Sequence, residues 1–272
     1  AETELRESVD FLLFKQYLFF SAMERLRSEC DEKGVELLGD LPIYVNFDSA
    51  DVWAHPNLFH LDENLLPVEV AGVPPDYFSK TGQLWGNPLY NWKALQKDDF
   101  SWWIKRLQHS LSMFHLVRID HFRGLLAYWA VPFGDRTAEK GVWRDVPSEA
   151  FFASLRKNIP SASFLAENLG VITPDVTDAM ERMSFPGMAV VLFAFGGGMK
   201  DNPHIPHNYS ATLAAYSGTH DNNTALGWYR DDASEEERNT LGRYLGRMPD
   251  EKEVPDIIVR MVLSSVAQRA II

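Results

Sequence analysis

FSWWIKRLQHSLSMFHLVRID, residues 100–120, is the stretch from which the fold can be read. Phe100, Trp103, Leu107, Leu111 and Phe114 recur every three or four residues, the spacing of one buried helix face. LVRID follows at once, an apolar run that predicts a buried strand ending in a carboxylate at Asp120. SFLAE ends the same way at Glu167, and LAAYSGTHD at Asp221. An acid at the carboxyl end of a buried strand costs several kcal/mol unless the fold uses it. Repeating that placement along alternating strands and helices is how a (β/α)8 barrel assembles an active site.

Working outward, the pattern predicts strands near 35–39, 116–120, 163–167, 188–195 and 212–218, and a sixth beginning at Ala270. Alternation with helices predicts a parallel sheet. Residues 5–30 read as an amphipathic helix along Phe11, Phe14, Leu18, Ala22 and Leu26, with Gly34 as its cap. Thr173-Pro174 opens another helix, Ser234 with Glu237 forms a capping box, and 255–268 read as the last helix. GMAVVLFAF (187–195) reads as a strand buried on both faces. Residues 46–95 and 124–146 show no sustained period and are expected to be long ordered loops. No repeat or linker divides the chain, which predicts one domain over 1–272 with an insertion at about 46–95.

The 272 residues suffice for one barrel-sized domain. A net charge of −12 offers no basic stripe for phosphates and argues against nucleic acid. No apolar run approaches the length of a membrane span. AETELRESVD has no basic stretch followed by an apolar core and is not read as a signal peptide. The single cysteine, Cys30, is expected as a free thiol in a reducing cytoplasm. Eight Trp, nine Tyr and 17 Phe build mostly core, yet loop Trp and Tyr also offer stacking surfaces for sugar rings.

Two carboxyl groups about 5–5.5 Å apart suit retaining glycoside chemistry, one as nucleophile and the other as acid and then base. Asp120 and Glu167 are the candidates, with Asp221 as a third acid. Arg118, two residues before Asp120 on the same strand face, would keep that carboxylate ionised. Taken singly, each acid reads more plainly as a helix cap or ion-pair partner. Three acids closing three apolar runs fit that plain reading poorly. His204-x-x-His207 and His220-Asp221 supply metal-ligand types, but Ile205-Pro206 breaks helical spacing in the first pair, so no metal is expected. Gly196-Gly197-Gly198 lacks the Lys-Ser/Thr of a phosphate loop.

The strings LGDLPIYV (38–45), DSADVWAHPNLF (48–59), GVPPDYFSKTGQLWGNPLYNW (72–92), VRIDHFRG (117–124), FLAENLGVITP (164–174), FPGM (185–188), PHNY (206–209) and GTHDNNT (218–224) resemble the amylomaltases. These 4-α-glucanotransferases form glycoside hydrolase family 77, and the resemblance runs over nearly the whole chain. It implies a (β/α)8 barrel that moves α-1,4-glucan segments between maltooligosaccharide or starch-like chains without a cofactor. By matched motif, Asp120 would be the nucleophile, Glu167 the acid/base, and Asp221 the acid that grips sugar hydroxyls. Arg118 and His220 would assist at the same sugar, and Asp40 would line the cleft. Segment 74–86 resembles the family's covering loop, in which Asp76, Tyr77, Phe78 and Trp85 would shape the acceptor side. Asn168 and Asn223 stand where the family usually has Asp, which would let Glu167 titrate lower. The family's chains are longer, so the resemblance implies an incomplete barrel without the first strands and the end of the last. Its open edges would invite self-association. Two rival readings remain: a hydrolase built on the same residues, and a truncated barrel that binds glucan without turnover.

Overall fold

The computed structural model describes residues 2–76, 79–161 and 163–272 and divides into two compact units, Ala1–Phe164 and Leu165–Ile272. The first unit opens with α1 (Glu2–Lys33), a turn at Gly34, and β1 (Leu38–Leu41). Gly34 adopts φ +66°, where a side chain would be strained, and the Val35 N–H returns to the Cys30 carbonyl. There follow α2 (Ala50–Ala54), β2 (Glu69–Val73), β3 (Gln83–Pro88), α3 (Trp92–Lys97), α4 (Ser101–Met113) and β4 (Leu116–Ile119). β5 (Ala127–Pro132), β6 (Val142–Asp145), α5 (Ser148–Asn158) and the first residue of β7 (Phe164–Ala166) complete it.

β1 and β4 pair in parallel, with Asp40 opposite Arg118. On its other side β4 meets the start of β7, because the Val117 N–H donates to the Ser163 carbonyl. Gly39 is required where it stands, since a Cβ there would enter the Phe114 ring. Behind this sheet, Trp92 and Trp103 stack at 6.2 Å and meet Phe151. The carboxyl end of α4 is closed by Arg27, whose Nη1 donates to the carbonyls of Leu111 and Phe114. His115 accepts from the Leu37 N–H at Nδ1, so Nε2 carries the proton and donates to Asp31.

Three expectations need correction. The stretches 46–95 and 124–146 are not simply loops: they supply β2, β3, β5 and β6, an antiparallel sheet ordered β3-β2-β5-β6. Gly72 and Gly86, Pro88 and exposed polar residues interrupt the alternation that would have revealed these strands. The run 187–195 is buried as expected, but only Met188–Val190 are extended, and Val191–Phe193 turn into a 3-10 helix. An apolar run reports burial and does not by itself choose between strand and helix. Finally, the helix over 5–30 exists, yet Phe11, Phe14, Leu18 and Leu26 on its expected inner face are about half exposed.

The second unit contains the rest of β7, α6 (Pro174–Met183), β8 (Met188–Val190), β9 (Ala214–Tyr216), α7 (Ala225–Gly227), α8 (Glu235–Leu245), α9 (Val254–Leu263) and β10 (Arg269–Ile271). β8 and β10 flank β9, both in parallel, so the strand expected at Ala270 is present and paired. α8 carries the expected capping box of Ser234 and Glu237, and Pro174 stands in the first turn of α6. Among the described residues no helix is long and apolar enough to cross a membrane.

Candidate active site

Parallel pairing of β1 with β4 sets Asp40 beside Arg118, and the two-residue repeat of a strand returns Asp120 to that same face. The three side chains form one charge-assisted group. Arg118 Nε and Nη2 donate to Asp40 Oδ1 and Oδ2, both at 2.8 Å, and Nη2 also donates to Asp120 Oδ1 at 2.9 Å. The guanidinium is nearly buried, at 7% exposure for the residue, whereas both carboxylates keep open faces. A buried cation held by two half-open acids fixes their orientation.

His121 follows Asp120 with φ 45°, a left-handed turn that sends the chain into the short 3-10 helix Phe122–Leu125. Burial, with Arg123 adding to it, pushes the His121 imidazole down to about 4. The Trp85 ring meets this imidazole edge-on at 4.8 Å and lies 6.2 Å from Tyr44. Trp85, expected from the covering-loop string, therefore meets the residue that follows Asp120. Asp76 organises its own turn: its N–H donates to the Ser79 carbonyl, and its Oδ1 accepts from the Ser79 N–H at 2.8 Å. Tyr77 and Phe78 lie outside the described residues. His121 and Tyr44 were missed as partners of Trp85, although both lie in strings that carried the resemblance; their side chains gave no chemical signal of a role.

In the second unit Glu167 stands immediately after β7, half-buried, and Oε1 accepts from the Leu169 N–H at 2.6 Å. Its neighbour Asn168 turns away to accept from the Met188 N–H at 2.8 Å, tying the end of β7 to the start of β8. Gly187 permits this approach: a Cβ there would stand 2.8 Å from the Asn168 amide. Asp221 and His220 lie beyond β9, largely exposed, with His220 Nε2 3.5 Å from Asp221 Oδ1. The loop that presents them is built by Asn222, whose Oδ1 accepts from the Thr219 N–H and hydroxyl. Asn223 Oδ1 accepts from the Thr224 N–H. His204 and His207 have separate employments, His204 Nδ1 accepting from the Val190 N–H and His207 stacking on Tyr244.

The family model described as 4-alpha-glucanotransferase, glycoside hydrolase family 77, matches residues 1–272. The 4-alpha-glucanotransferase of Thermus thermophilus is 48% identical over 277 residues, a match covering 100% of this chain and 55% of the relative. That of Aquifex aeolicus is 46% identical over 262 residues, covering 96% and 53%. Among solved structures, the amylomaltase from Streptococcus agalactiae in complex with acarbose superimposes with a TM-score of 0.93 at 37% identity, covering 99% of this chain and 54% of that one. The chain thus spans about half the length of the relatives it matches.

Proposed function

Because the chain belongs to glycoside hydrolase family 77, we propose that it carries the catalytic residues of a retaining 4-α-glucanotransferase on a (β/α)8-type scaffold. The observation that carries this reading is the Asp40–Arg118–Asp120 group, which holds a carboxyl group at the carboxyl end of β4 with one face open. A nucleophile must be held in position, and the shared guanidinium orients Asp120.

In this proposal Asp120 attacks the anomeric carbon of a glucose unit within an α-1,4-glucan. The glycosidic C–O bond breaks, Glu167 gives its proton to the departing oxygen, and a glucosyl ester forms on Asp120. Glu167, now a carboxylate, takes the proton from the 4-hydroxyl of an incoming chain. That oxygen forms the new glycosidic bond and releases Asp120. Asp221 and His220 hold hydroxyls of the reacting sugar. The covering segment, with Asp76, Tyr77, Phe78 and Trp85, excludes water so that a sugar wins the intermediate. The scaffold is taken as one catalytic domain with the covering insertion at about 46–95. The substrate class is maltooligosaccharide or starch-like glucan, in keeping with the glucanotransferase names of the relatives and the acarbose held by the streptococcal amylomaltase. The cytoplasm is the compartment this reading assigns, in keeping with the free thiol of Cys30.

Incubation with maltotriose tests the proposal. Transfer yields glucose together with a ladder of longer maltooligosaccharides. Short sugars alone would favour the hydrolase reading, and an unchanged substrate would favour a scaffold that binds glucan or self-associates.

A further inference from the structure

Trp53 is 85% exposed, against 40% for Trp143 and 37% for Trp85, while Trp92, Trp103 and Trp228 are buried. A large indole in water forgoes burial of some 150–250 Å² of surface. Its backbone is nevertheless rigidly held. The adjacent Val52 is buried and anchors α2, Ser49 Oγ caps the helix at the Val52 N–H, and the Trp53 N–H donates to the Ser49 carbonyl. This loop leaves the carboxyl end of β1, the strand that carries Asp40. Asn87 on β3 bolts it down, donating to the Val45 carbonyl at 3.1 Å and reaching Asn46 Oδ1 at 3.4 Å. Two residues before Asn87 is Trp85, whose ring meets His121 beside Asp120. These contacts link the backbone of the loop that carries Trp53 to β3, whose Trp85 meets the residue after Asp120.

The segment around Trp53 also carries polar side chains. Asp48 and His55 are exposed and Asp51 is half-exposed, so groups able to bind hydroxyls lie close to Trp53 along the chain on both sides. A protein partner would favour an apolar rim, whereas a glucose ring presents C–H bonds on its face and hydroxyls around its edge. We propose that Trp53 is an outer saccharide platform, stacking a glucose unit of a long α-1,4-glucan several units from the bond that is exchanged. The inference rests on the transferase reading and extends it from the reacting sugar to chain-length preference.

Isothermal titration of the 272-residue chain with maltotriose and maltoheptaose, alongside Trp53→Ala and Trp53→Phe, tests it. Exposure of the side chain means that neither substitution disturbs the core. Trp53→Ala should weaken maltoheptaose about three- to tenfold, leave maltotriose unchanged, and be largely rescued by Trp53→Phe. Equal maltoheptaose affinity in wild type and Trp53→Ala, or equal losses for both sugars, would overturn the platform while leaving the transferase reading intact. A wild-type chain that binds neither sugar would overturn both.

Discussion

Arg118 stands nearly buried between Asp40 and Asp120 and donates to both. Replacing it with Met would remove the cation that bridges the two carboxylates. Charge-assisted hydrogen bonds contribute about 1.5–3 kcal/mol each, so transfer by Arg118→Met should fall by roughly a hundredfold or more. Arg118→Lys should restore little, since an ammonium cannot match the fork that reaches both oxygens of Asp40 while touching Asp120. Transfer kinetics would check both. The pairing of Arg118 with Asp120 was legible from spacing, because residues two apart on a strand share a face. Asp40 as the second partner was not, because it depends on the register of β1 against β4.

Two partly buried imidazoles give a second test at this scale. His121 and His204 are each pushed down to about 4, by burial first in both cases. The unfolded chain titrates near 6.5 and so binds more protons than the native state between these values. Stability is therefore full above about pH 6.5 and is lost as pH falls toward 4, by up to on the order of 3 kcal/mol per site. Thermal unfolding at steps across that window should show the decline. His204→Asn, which keeps an acceptor for the Val190 N–H, should flatten part of it.

At the scale of elements, the junction between β7 and β8 depends on Asn168 reaching past Gly187 to the Met188 N–H. Gly187→Ala puts a methyl against that amide and should destabilise the protein by about 1–3 kcal/mol. Part of the loss should return in a double variant with Asn168→Ser, measured by chemical denaturation, because the shorter side chain vacates the space. Ser234→Ala, which removes the α8 capping box, should cost about 1 kcal/mol in the same assay. The cap was legible because Ser-x-x-Glu is a local signal. α4, β4, α6, β9 and β10 were legible for a similar reason: periodic faces and boundary residues announce them. The β3-β2-β5-β6 sheet was hidden because its strands pair across long separations and carry Gly and Pro where alternation is normally read. Burial of 187–195 was legible, but its turn into a 3-10 helix after Val190 was not.

At the scale of the molecule, the family could be read from strings of residues in order, while periodicity alone gave only an alternating α/β chain. The half-exposed Phe11, Phe14 and Leu18 of α1 show where pattern and burial part company. A helical apolar stripe predicts that a surface exists to be covered without naming what covers it. The proposed chemistry asks most of Asp120, which must carry a sugar covalently between two chains. Reaction with 5-fluoro-α-glucosyl fluoride, which slows release of the intermediate, followed by peptide mass spectrometry, tests this directly. The account predicts one fluoroglucosyl group on the peptide containing Asp120, absent from Asp120→Asn. Glucan exchange proceeding at full rate with no adduct, or with the adduct on another residue, would contradict it.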